Sequence, residues 1–185
     1  MTQLTQRPEA DVNTPRVIER LSDGAPVVVR PIRAEDKPLL SDGLRRLSDE
    51  SVQRRFLTPK HSFSGSELRY LTEINAVDHV ALVAEDPADP ARRLIAVGRF
   101  VRLADDPEAA EVAITVADNW QGRGLGSLVG AHLAHAARNR GIKRFTATMA
   151  AGNRPAHRLM TKLTRQLQQR HAGGGVDELV LDIAS

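Results

Sequence analysis

Apolar positions along the chain repeat with two periods, one suited to strands and one to helices. Residues 17–21 and 27–30 flank Ser22-Asp23-Gly24-Ala25, and Asp-Gly is a strong turn signal, so an opening hairpin is predicted. Asp36 then caps a helix with Pro38 near its start, and Leu39, Leu40, Leu44 and Leu47 keep helical spacing up to Ser48. Residues 51–56 read as a further helical turn. Ser66 begins another helix, with Leu68, Leu71 and Ile74 on one side. Residues 80–84 and 94–103 read as strands separated by the turn Asp86-Pro87-Ala88-Asp89-Pro90. Past a break at Asp105-Asp106-Pro107, residues 111–116 alternate, with Val112, Ile114 and Val116 set against Glu111, Ala113 and Thr115.

Beyond that strand comes Gln121-Gly122-Arg123-Gly124-Leu125-Gly126, and then a helical stripe of Leu125, Leu128, Val129, Leu133 and Ala136 that Gly141 is placed to close. Residues 144–149 form a strand. Asn153 and Pro155 open a helix that runs to Leu163, and residues 164–170 and 176–183 make a closing hairpin around His171-Ala172-Gly173-Gly174-Gly175. These elements describe one mixed α/β sheet flanked by helices, with no internal repeat. At 185 residues and 41% apolar content one core suffices. Residues 1–15 are expected to be a flexible tail before a single domain at 16–185.

No apolar run approaches the roughly 18 residues of a membrane span, and the polar start lacks the apolar centre of a secretory signal. A cytoplasmic protein without a membrane partner is expected. With no cysteine, disulfides, thiolate metal sites and cysteine nucleophiles are excluded. The pI of 9.8 suggests nucleic acid, but the net charge is only +3, and 22 of the 26 cations are arginines, which do not titrate in the relevant range. Distribution is more telling. Residues 119–176 hold ten cations and no anions, whereas the rest of the chain holds 16 cations and 23 anions. Either the surface charge is segregated by chance or a polyanionic ligand lies over that stretch. With only six aromatic residues in the chain, stacking on single-stranded nucleic acid is disfavoured.

Three glycines at a helix start let the backbone approach a ligand closely, and the helix offers free N–H groups with the positive end of its dipole behind them. Phosphates are held this way. A Walker loop is excluded because the chain has no Gly-Lys pair. A dinucleotide fingerprint fails because Gly126 follows Gly124 one position too early. What remains is Gln/Arg-x-x-Gly-x-Gly/Ala, supplied by Gln121, Gly124 and Gly126. With Glu111-Val-Ala-Ile-Thr-Val116 before it, Gly141-Ile142 after it and Asn153-Arg154-Pro155-Ala156 at the next helix, the chain resembles the Gcn5-related N-acetyltransferases (GNAT) over residues 27–163. Val29-Arg30-Pro31-Ile32-Arg33-Ala34-Glu35-Asp36 and Ser48-Asp49-Glu50-Ser51-Val52-Gln53-Arg54-Arg55-Phe56 are similar to the acetyltransferase domains of bacterial Pat-type protein-lysine acetyltransferases.

The resemblance implies the GNAT fold and acetyl-CoA as co-substrate, with no metal ion. It implies that the CoA diphosphate rests on backbone N–H groups of Gly122, Arg123, Gly124, Leu125, Gly126 and Ser127, with Gln121 in the signature and Arg123 adding charge. Arg123 could equally be a solvent-facing cation. Val116 and Asp118 would meet pantetheine through backbone atoms, and the Val116 N–H would stabilise the oxyanion. Asn153 would cap its helix, contact pantetheine, or do both. Trp120 is read as packing, and the six histidines show no metal spacing.

The acceptor must be a neutral amine, and deprotonating a lysine at pH 7 costs on the order of 4–5 kcal/mol, so a general base is needed. Glu111 is the candidate, on the face opposite Val112, Ile114 and Val116, where half-burial would suit it to take a proton. The competing reading is a strand-edge carboxylate paired with an Arg such as Arg99 or Arg102, and an exposed, salt-bridged Glu111 would count against the role. The Tyr that serves as acid in many relatives is replaced by Met160, and the only tyrosine, Tyr70, lies in another helix. Water would then protonate the departing thiolate. A protein lysine is the expected acceptor, with a small-molecule amine, or a non-catalytic acyl-CoA-binding module, as the alternatives.

Overall fold

A computed structural model describes residues 16–164 and 166–184; the expected tail at 1–15 lies outside the described residues. Eight strands form one sheet: β1 (Val17–Arg20), β2 (Pro26–Pro31), β3 (His79–Glu85), β4 (Leu94–Arg102), β5 (Ala109–Val116), β6 (Arg144–Ala150), β7 (Leu167–Gly173) and β8 (Val176–Asp182). They lie in the order β1-β2-β3-β4-β5-β6-β8-β7. Only β5 and β6 run parallel; every other neighbouring pair is antiparallel.

Five helices cover the two faces: α1 (Lys37–Arg45), α2 (Asp49–Phe56), α3 (Gly65–Thr72), α4 (Leu125–Arg138) and α5 (Arg154–Leu163). The alternation of β3 shows how the layers form. Val80, Leu82 and Ala84 join the α4 core with Val129 and Leu133, while Ala81 and Val83 join the α1 and α3 side with Leu40 and Leu71. Among the described residues no helix is long and apolar enough to cross a membrane.

Helix ends are set locally. Gly141, at φ +76°, closes α4 as predicted: its N–H donates to Arg138 and that of Ile142 to Ala137. The Asn153 side chain accepts from the Ala156 N–H at 3.2 Å and caps α5. Two expectations need correction. Asp36 precedes α1 but makes no cap bond to it; its carboxylate takes the Arg30 guanidinium and the Arg33 N–H, each at 2.8 Å. Ser48 does not end α1 but starts α2, accepting from the Ser51 N–H.

Gly98 lets α4 sit directly on β4. A Cβ there would lie 2.6 Å from Val129 Cγ1 and 2.8 Å from Leu133 Cδ1. Gly98→Ala is therefore expected to cost about 1–3 kcal/mol by overpacking. Thermal denaturation should show Tm lower by roughly 2–12 °C.

Candidate active site

The sheet opens between β5 and β6. Their ladder holds for three pairs, ending at Glu111↔Thr146. Beyond it, β5 stays with β4 as far as Ala96↔Val116, and β6 stays with β8 as far as Ala150↔Val176. Each strand follows its antiparallel neighbour, and the two part to leave a cleft of about 460 Å³. The Ala117 N–H donates to Ile95 on the β4 side, so the N–H and C=O groups of Ile114 and Val116 point the other way, into the cleft. The Val116 carbonyl accepts from Gln121 Nε2 at 3.1 Å. The two N–H groups face the cleft with no strand opposite them.

At the mouth, a short turn at Asp118–Trp120 leads into the glycines. Gly122 (φ +74°) and Gly124 (φ +89°) occupy the left-handed region, which L side chains rarely adopt. No side chain caps α4, and its first helical bond runs from the Leu128 N–H to the Gly124 carbonyl at 3.0 Å. The N–H groups of Leu125, Gly126 and Ser127 are therefore left for a ligand. A Cβ on Gly122 or Gly124 would meet nothing within 4 Å, so the outer side of the loop is open. Three converging N–H groups at the positive end of a 14-residue helix suit a diphosphate. Arg158 and Lys162 of α5 line the same cleft, with no ion pair among the described residues. The residues present fit the diphosphate and strand-like arm of CoA.

Other expected contacts are placed differently. Arg123 does not line the cleft: it pairs with Asp23 at 2.6 Å and stacks over Trp120 at 4.2 Å. Trp120 is half-buried: it packs against the core and also lines the cleft. The Asp118 carboxylate accepts from Ser48 N–H at 2.7 Å and from the hydroxyls of Ser48 and Ser51. Burial pushes its pKa up, but these hydrogen bonds outweigh it and hold the group below the usual carboxylate range. Gln121 Nε2 lies 3.1–3.2 Å from Ser51 Oγ, the Val116 carbonyl and Asp118. Asp118 and Gln121 thus tie α2 to the cofactor loop.

The acid-free stretch also has a plainer account. Arg123, Lys143, Arg144 and Arg170 pair with Asp23, Glu108, Asp106 and Glu178, all outside it. Arg138 and Arg140 donate to backbone carbonyls. Four of the ten cations are therefore accounted for by cross-sequence pairing, and among the described Lys and Arg residues of the stretch only Arg158 and Lys162 line the cleft.

Glu111 stands on the last shared rung of β5 and β6 and lines the cleft. Its register, opposite Val101, puts it on the face of Ala113 and Thr115, away from Val112, Ile114 and Val116, as the alternation predicts. It is exposed, not half-buried. The expected Arg partners lie elsewhere: Arg102 pairs with Asp78 at 2.8 Å and Arg99 turns to His79. Among the described residues its carboxylate has no hydrogen bond or ion pair, and the cation that feels its charge is Arg55 of α2. Met160 is buried beside the cleft and Tyr70 is exposed on α3, so neither offers a proton to the leaving sulfur.

The acetyltransferase (GNAT) family model matches residues 49–164. The chain belongs to the GNAT family. Acetyltransferase Pat of Mycolicibacterium smegmatis is 34% identical over 136 residues, covering 73% of this chain and 40% of Pat. An acetyltransferase of Pseudomonas aeruginosa is 31% identical over 137 residues, 74% of this chain and 73% of that protein. The GNAT domain of S. lividans PAT superposes with a TM-score of 0.80 at 32% identity, covering 90% of this chain and 96% of that one. The protein is thus an acetyl-CoA-dependent N-acetyltransferase by family.

Arg55, Arg99 and His79 were not identified as a group by sequence reading. They lie on the face of the GNAT sheet that Glu111 shares. Burial, reinforced by Arg99, drops the His79 pKa from its ordinary 6.5 to about 4, so the imidazole is neutral and Nε2 accepts from Arg99 at 3.1 Å. An unfolded His79 binds a proton near pH 6.5 while the folded one does not until about pH 4, so stability falls as pH drops through that window. Between pH 7 and 4.5 the wild type should lose about 2 kcal/mol more than His79→Gln, as read by urea denaturation.

Proposed function

We propose that this enzyme transfers the acetyl group of acetyl-CoA to the side-chain amine of a protein lysine, with Glu111 as general base. The observation that carries the reading is Glu111's place: a carboxylate without a hydrogen bond or ion pair among the described residues, where β5 and β6 separate, in the cleft that begins at the glycine loop. Glu111 removes a proton from the ammonium group, directly or through water, and the neutral nitrogen attacks the acetyl carbonyl. The Val116 N–H points into the cleft and can donate to the carbonyl oxygen as charge builds there. Gly124 to Ser127 and the two cations of α5 hold the phosphates. Water protonates the departing sulfur.

A protein lysine is supported by the identity to Pat and by the Pat-like stretches at residues 29–36 and 48–56. Mass spectrometry of lysates incubated with labelled acetyl-CoA tests it. Label should appear on protein lysines with the wild type and be largely absent with Glu111→Gln. Label on small molecules alone would overturn the protein-lysine reading.

A further inference from the structure

A second cavity, of about 80 Å³, lies between α1, α2 and α3 and the adjoining face of β4 and β5. Its walls are largely apolar, with two guanidinium groups among them, Arg55 and Arg99. It shares Arg55, Ala113 and Thr115 with the reaction cleft, so the two spaces meet on the side of the sheet where Glu111 stands.

The chain itself shows what a buried arginine ordinarily requires. Arg30 and Arg99 are both 7% exposed. Arg30 is enclosed by two carboxylates, Asp36 and Glu85. Arg99 has none among the described residues: Nη1 donates to the Leu71 carbonyl at 3.3 Å and to His79 at 3.1 Å, and its other donors have no partner. No enclosed side-chain nitrogen or oxygen among the described residues is left without a partner, so those donors face the cavity. Arg55 rests on the Phe56 ring at 5.1 Å and makes no hydrogen bond or ion pair among the described residues; the one carboxylate whose charge reaches it is Glu111, in the neighbouring cleft. Burial lowers the pKa of both, and burial together with repulsion from Arg55 brings that of Arg99 to about 10. Two desolvated like charges beside an apolar space are costly unless an anion joins them.

We propose that Arg55 and Arg99 form a carboxylate site for the acceptor, which carries an anionic group and apolar atoms near its reacting amine. This rests on the acetyl-transfer reading. Arg99 faces Ala113 and Glu111 faces Val101, so the two occupy successive positions on one face of the β4–β5 pair. Diagonal neighbours of this kind are about 7–8 Å apart, a span that a lysine side chain can bridge between amine and carboxylate. The carboxylate is either the acceptor's own or that of an acidic residue next to a target lysine; the chemistry recognised is the same.

The test uses acceptors paired by charge: 6-aminohexanoate against its amide, and a lysyl peptide with a neighbouring Glu against the same peptide with Gln. In CoA-release assays the charged member of at least one pair should be favoured about tenfold to hundredfold in kcat/KM, mainly through KM. Which pair shows it identifies the source of the carboxylate. Arg99→Gln should bring that ratio near one, and Arg99→Lys should keep part of it. Equal rates within both wild-type pairs, or a preference that survives Arg99→Gln, would overturn the proposal. A second readout does not need turnover: the N-acetylated carboxylates should raise Tm of the wild type more than their amides do, and should not do so in Arg55→Gln, which serves if Arg99→Gln fails to fold. Carboxylate-specific stabilisation without acetylation of any amine would sink the transfer reading and leave the anion site standing. Turnover without charge preference would do the reverse.

Discussion

Glu111→Gln is expected to lower kcat at pH 7 by about 100- to 10,000-fold while leaving the KM for acetyl-CoA little changed. An amine of pKa about 10.4 is almost wholly protonated at neutral pH, and Glu111 is a carboxylate with no hydrogen bond or ion pair among the described residues, at the point where β5 and β6 separate. Glutamine keeps the shape and loses the ability to take a proton. The pH profile separates chemistry from structure. As pH rises towards 10 the bulk solution supplies neutral amine, and the defect should shrink by orders of magnitude. A positional role would leave a constant deficit across pH 7–10. Wild-type kcat in the variant at pH 7 would remove Glu111 from the mechanism.

Gly124→Asp is expected to weaken acetyl-CoA binding by about a hundredfold, roughly 3 kcal/mol, with Tm within a few degrees of wild type. Gly124 has φ +89°, and Asp is among the few residues that tolerate positive φ. A Cβ there meets no protein atom within 4 Å, so the fold should accept it. Its carboxylate, however, would stand beside the N–H groups of Leu125, Gly126 and Ser127, engaging them and repelling a diphosphate. Calorimetry and a melting curve on the same sample distinguish lost binding from lost fold. Unchanged affinity would mean that the anion is not held at this helix start.

What could be read from the sequence was local. Gly141 and Asn153 end and begin helices through bonds spanning a few residues, and the alternation across β5 assigned Glu111 its face correctly because strand period is a property of the strand alone. The glycine loop was legible for the same reason. What was not legible depended on contacts between distant segments. The acid-free stretch read as a field for a polyanion, but Asp23, Glu108, Asp106 and Glu178 reach it from elsewhere. Asp118 is legible only for its backbone; no local pattern shows that its side chain joins Ser48 and Ser51 about 70 positions away. The competing reading pairs Glu111 with Arg99 or Arg102; the cation that feels its charge is Arg55, from α2, and no periodicity signals it.

Acetyl-CoA titrated into the purified protein tests the central claim, that the opening between β5 and β6 is a cofactor cleft founded on the glycine loop. The account predicts saturable binding at one site per chain, with a Kd on the order of micromolar to a few hundred micromolar, and strong loss in Gly124→Asp. No binding up to millimolar acetyl-CoA, or wild-type binding in that variant, would contradict it.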